Sequence, residues 1–145
     1  MGTSLPKKKT MGNIDLAVKV AWSFHGTFYI WGGDDPSGFD CSGLVVEILK
    51  SVGILHGKDD YTAQGLYNKF KNNESNFPQT GYLVFWGRDT NHITHVEFCI
   101  TEWHTIGASG GGSKTKTEQD AIDQNAYVKV RPIRPGVIKI VNPFL

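Results

Sequence analysis

At 145 residues and 16.1 kDa, the chain has the length of one domain, enough to bury a core without disulfide staples. Hydrophobic residues at 39% and charged residues at 20% give a globular balance, not a disordered one. A formal net charge of +1 lacks the basic excess of a dedicated nucleic-acid binder, and the longest apolar run, five residues from Tyr82 to Trp86, is too short to span a membrane.

Residues 1–11, with Lys7, Lys8 and Lys9 in a row, read as a solvated, flexible lead-in to a single domain over 12–145. Asn13 is a good helix cap, and Ile14, Leu16, Ala17, Val20, Ala21 and Phe24 recur at helical spacing, so a first helix is expected from Asn13 to about His25. Phe28 to Trp31 is short and β-prone, and Gly32 to Gly38 is dense turn chemistry. A second helix opens at Cys41, buries Leu44, Val45, Ile48 and Leu49, and stops at Gly53. A third is expected from about Thr62 to Lys71. Strand patterns follow at Tyr82–Trp86, Thr94–Thr101, His104–Ser109 and Tyr127–Ile133, with another at Val137–Val141. Helices first and strands afterwards predict an α+β domain with the helices packed on a central antiparallel sheet. Most of the four tryptophans are expected in the core, with one or two near a groove.

Cys41 stands at the start of its predicted helix. Free backbone N–H groups and the positive end of the dipole favour a thiolate there, and the same groups can hold an oxyanion. Position alone equally allows a small buried hydrophobe. A thiolate needs a base. Of the five histidines, His25 and His56 read as surface residues, whereas His95 begins the strand His95-Val96-Glu97-Phe98-Cys99-Ile100. Alternation turns Val96, Phe98 and Ile100 to the core and His95, Glu97 and Cys99 the other way. A surface histidine on a half-exposed strand is the other reading of His95. His92 and His95 would point to opposite faces and have no paired cysteines, so no metal site is expected.

Phe28-Tyr29-Ile30-Trp31-Gly32-Gly33, followed by Ser37-Gly38-Phe39-Asp40-Cys41-Ser42-Gly43-Leu44-Val45, resembles the NlpC/P60 family of cell-wall cysteine peptidases. Gly81 to Trp86, His95-Val96 and Ile106 to Ser109 match later family pieces in order, so the resemblance spans roughly residues 13–141. It implies a papain-like NlpC/P60 fold and hydrolysis of peptidoglycan stem peptides, commonly between D-γ-glutamyl and a diamino acid. By position it makes Cys41 the nucleophile, His95 the base and Tyr29 an oxyanion donor. Asp40 and Ser42 match residues that bind the substrate's free amine end. No cofactor, metal, nucleic acid or membrane insertion is implied.

Two positions depart from the pattern. The family's third polar residue, which orients the histidine, falls on Gly107, and Tyr82 replaces an Asp expected to act in a turn. Glu97 shares the face of His95, and Gly107 across the ladder leaves it room, so Glu97 is the expected orienting group. Ser109, a water and a backbone carbonyl are the alternatives, while Glu102 and His104 would need a bulge to reach back. Cys99 is expected to be a packed thiol. A CHAP-type amidase or endopeptidase, and a non-catalytic wall-binding or phage tail module that has kept the fold, are the rival functions. The N-terminus shows no signal peptide. The expectation is therefore synthesis in the cytoplasm and action at the bacterial wall by phage lysis or tail delivery, or action on imported wall fragments.

Overall fold

A computed structural model of the chain describes residues 4–35 and 38–145. Helix α1 (Ser4–Ser23) begins nine residues before Asn13, so most of the expected lead-in has helical backbone, and residues 1–3 lie outside the description. A two-residue hairpin, β1 (Asp34–Asp35) and β2 (Gly38–Phe39), follows, and the expected turn residues Pro36 and Ser37 lie outside the described residues. Next come α2 (Cys41–Ser51), α3 (Ala63–Phe70) and a 3-10 turn over Lys71–Asn73. The strands are β3 (Leu83–Gly87), β4 (Ile93–Cys99) and β5 (His104–Ser109). Helix α4 (Glu118–Gln124) intervenes before β6 (Tyr127–Pro132) and β7 (Val137–Val141).

The five long strands form one antiparallel sheet in the order β6-β5-β4-β3-β7. Helices α2 and α3 pack on β4, the central strand. Leu44, Val45, Val46, Ile48 and Leu49 of α2 are buried with Leu83, Phe85, Val96, Phe98 and Ile106 of the sheet. Burial of each such side chain contributes about 2 kcal/mol, so α2 is the most firmly seated helix. Ala17 and Ala21 are fully buried on α1, where small side chains let that helix approach α2 closely.

Strand β3 changes register at Trp86 against both neighbours. Such a bulge turns a side chain out of the ladder's regular direction. Trp86 pairs with His95 on β4, and their ring centroids are 5.6 Å apart.

Three sequence expectations are corrected. The face of β4 that carries His95 is not half-exposed, because Glu97 is 1% and Cys99 0% accessible. Alternation identified the two faces, but the Arg131 and Arg134 side chains that reach Glu97 were not visible locally. Most tryptophans are not core: Trp22, Trp31 and Trp103 are exposed, on the outer side of α1, in the loop before β1 and in the β4–β5 turn. Helix α4 lies where no element was expected. Its signal was the capping box in which Thr117 accepts from Asp120 N–H and the Asp120 carboxylate accepts from Thr117 N–H.

Candidate active site

The N-terminus of α2 is built by close backbone approach. Gly43 lies against the carbonyl of Gly33, and a Cβ at Gly43 would overlap that oxygen. Asp40 caps the helix, its Oδ1 accepting from Gly43 N–H at 2.6 Å and its Oδ2 from Gly32 N–H at 3.2 Å. Ser42 Oγ donates to Asp40 Oδ1 at 3.4 Å. Burial raises the Asp40 carboxyl above its ordinary value, more than the bonds from Gly43, Gly32 and Ser42 lower it. Cys41 is the first helical residue, where an amide N–H has no partner within the helix.

His95, carried on β4, lines the same groove as Cys41, close enough for the cysteine to favour the charged imidazole. On its other side, His95 Nε2 meets Glu97 Oε2 at 2.6 Å, which leaves Nδ1 for the sulfur. Burial alone would depress the imidazole's pKa. The bond to Glu97, the charge of that carboxylate and the nearby Cys41 outweigh it and push His95 up to about 9. Tyr29 is buried against the same helix terminus. Burial, then the charges of Cys41 and Asp40, push its phenol up to about 12, so it remains a proton donor.

Glu97 is held at both oxygens. Thr105 Oγ1 donates to Oε1 at 2.6 Å, and Arg134 and Arg131 donate to Oε2 at 2.7 and 3.2 Å. Burial opposes ionisation here, but the bonds from His95 and Thr105 and the charges of His95 and Arg134 lower the pKa overall, so Glu97 is a carboxylate. Gly107 makes the arrangement fit. It stands opposite Glu97, one step along the ladder from Phe98↔Ile106, and a Cβ there would overlap Cγ and Cδ of Glu97. The carboxylate lies over this gap and meets Arg131 from β6.

A groove of about 570 Å³ opens over these groups. Tyr29, Asp40, Cys41, Ser42, His95 and Arg134 are among its lining residues, with Trp31 at its exposed edge. Five of the six sequence-selected residues thus line one groove, and the sixth, Glu97, lies directly behind His95. His25, His56 and His92 are exposed, and His92 bonds Asp89 in the β3–β4 turn. Among the described residues, no three His, Cys, Asp or Glu gather as a metal site. Cys99 is fully buried, and desolvation with the nearby Glu97 charge pushes its thiol up to about 12. Sequence reading missed Thr105, Arg131 and Arg134. The first two lie on strands at the right parity, whereas Arg134 follows β6 in a loop and left no local signal.

The NlpC/P60 family profile matches residues 26–132. The chain is 31% identical over 110 residues to the bifunctional muramidase/DL-endopeptidase CwlT of Bacillus subtilis, a match covering 74% of this chain and 32% of that one. It is 25% identical over 144 residues to the peptidoglycan endopeptidase RipA of Mycolicibacterium smegmatis, covering 90% of this chain and 25% of RipA. The chain therefore spans about a third and a quarter of these two relatives. The solved peptidoglycan hydrolase RipB of Mycobacterium tuberculosis has the same fold, with a TM-score of 0.72 at 22% identity over 97% of this chain and 69% of that one. The NlpC/p60 domain of the peptidoglycan hydrolase SagA gives 0.63 at 24% identity over 89% and 97% of the two chains. With a family match over most of its length and this fold in common, the chain belongs to the NlpC/P60 family.

Proposed function

We propose that the chain is a peptidoglycan hydrolase, a thiol endopeptidase that cuts stem-peptide amides between D-γ-glutamyl and a diamino acid. One observation carries this reading: a cysteine at a helix N-terminus faces an imidazole whose second nitrogen rests on a buried carboxylate. The names of CwlT and RipA, both endopeptidases, support the substrate class.

In this mechanism His95 stays protonated beside the Cys41 sulfur, which adds to the amide carbonyl carbon. The Cys41 N–H and the Tyr29 hydroxyl hold the oxyanion. The C–N bond breaks as His95 gives its proton to the leaving amine. Water then adds to the thioester, its proton passes to His95, and the carboxylate product leaves the restored pair. Glu97 keeps the ring in the orientation that presents Nδ1 to sulfur. Asp40, anionic at one end of the groove, pairs with the free amine of the stem peptide, with Ser42 beside it. No step calls for a metal or an organic cofactor.

The test is mass spectrometry of stem-peptide fragments incubated with the protein. The expected products carry a new γ-carboxyl and a new diamino-acid amine, and Cys41→Ala forms neither. Cleavage at the lactyl–alanine amide would make this a CHAP-like amidase instead. Folded wild-type protein that binds wall fragments and cuts nothing would make it a binding module.

A further inference from the structure

We infer that Arg134, backed by Arg131, is a positioning residue that locks Glu97 in the one orientation that serves His95. The inference rests on the hydrolase reading above. Its basis is convergence on a single atom. Glu97 Oε2, the oxygen that meets His95 Nε2, also receives Arg134 Nη2 at 2.7 Å and Arg131 Nη2 at 3.2 Å. Thr105 holds the other oxygen, so the carboxylate cannot turn without breaking a charge-assisted bond.

The clamp is itself braced. The Arg134 guanidinium lies over the Trp86 ring at 5.0 Å, and Trp86 Nε1 donates to the Pro135 carbonyl at 3.2 Å. Trp86 is also the indole that flanks His95, so one ring backs both the base and the clamp. Arg131 is tied by a 2.8 Å bond to Ser109 Oγ. Apolar packing would stabilise a small domain as well as a buried ion cluster does, so stability alone is a poor reason for two arginines here. With Gly107 offering no side chain, a carboxylate supplied from the histidine's own strand needs an external hold.

The groups that face His95 are Cys41 from α2, Glu97 from β4 and, through Glu97, Arg131 from β6 and Arg134 from the loop before β7. Tyr29 and Asp40 line the same groove. This makes the direction of a pH effect diagnostic. If Arg134 acted only as a nearby positive charge, removing it would favour the imidazolium and move the alkaline limb of the rate profile up. If it positions Glu97, removing it loosens the Glu97–His95 bond and moves that limb down.

The experiment measures kcat, KM and the pH profile of stem-peptide hydrolysis for wild type, Glu97→Gln, Arg134→Gln and Arg134→Lys. Arg134→Gln should lose about tenfold or more in kcat with KM within about twofold. Its alkaline limb should fall by about one pH unit or more, as in Glu97→Gln. Arg134→Lys, which retains a cation for Glu97, should recover most of both. An alkaline limb that stays or rises in Arg134→Gln overturns the inference. Should that variant fail to fold, Arg134→Met keeps a stem over Trp86 and reads the same way, and loss of fold in both would assign Arg134 to stability alone and also overturn it. Wild type without turnover would sink the hydrolase reading itself. An active wild type beside an unaltered Arg134→Gln would sink this inference only.

Discussion

Glu97 occupies the space that Gly107 leaves empty. The resemblance read from the sequence puts the histidine-orienting position at 107, and a carboxylate from the histidine's own strand lies over that glycine and bonds the ring. The site keeps an acceptor behind His95 while moving it to the neighbouring strand.

This relationship gives a direct test. Gly107→Ala puts a methyl group into Cγ and Cδ of a side chain that four donors hold, so the carboxylate must shift. Overpacking of this kind costs about 1–3 kcal/mol, and loss of the His95 contact should lower kcat by about tenfold or more. Thermal melting and stem-peptide turnover read the two effects separately. Wild-type kcat in a folded Gly107→Ala protein would remove Glu97 from the mechanism.

The pH dependence of stability has a definite sign. His95 is raised from 6.5 to about 9, so its contribution is complete below 6.5 and is lost as pH rises through about 9. Glu97 is lowered from 4.5, so its contribution is complete above 4.5 and is lost as pH falls. Together they favour the folded state most between those two ordinary values. Melting temperature against pH should therefore fall on the alkaline side for wild type and be flatter for Glu97→Gln. Superimposable curves would show that the pair is not coupled to folding.

Tyr29→Phe tests the oxyanion assignment. Burial pushes the phenol up to about 12, so across the working range it keeps the proton it needs to donate. Loss of one oxyanion donor removes about 3 kcal/mol of transition-state stabilisation, roughly a hundredfold in kcat. Unchanged kcat would leave the backbone N–H to hold the oxyanion without Tyr29.

Asp40 combines a cap with a charge, and Asp40→Asn separates them. Asparagine caps a helix as well as aspartate does, so stability should change little. The variant loses the anion proposed to meet the substrate amine, so KM should rise about tenfold. Substrates with an acetylated amine should no longer distinguish wild type from variant. An equal loss on both substrates would place Asp40 in the fold alone.

Much of the molecule was legible from local pattern. Strands β5 and β7 have the bounds read from the sequence, α2 begins at Cys41 as expected, and α3 begins one residue after the expected Thr62. The start of α1 was not legible, because Asn13 is as good a cap as any, yet the helical backbone continues through it to Ser4. Helix α4 was missed because seven residues with a single buried side chain, Ala121, carry almost no hydrophobic period.

The order and spacing of Tyr29, Asp40, Cys41, Ser42 and His95 are properties of the sequence: a helix start places Cys41 and strand parity places His95, while Tyr29, Asp40 and Ser42 were read from the resemblance to the family motif. The surroundings of Glu97 are not. Thr105, Arg131 and Arg134 come from two strands and a loop, and only the pairing of β4 with β5 and β5 with β6 brings them to one carboxylate. Local periodicity says which way a side chain points, but the charge it meets there depends on residues tens of positions away, which only the assembled sheet brings within hydrogen-bond reach.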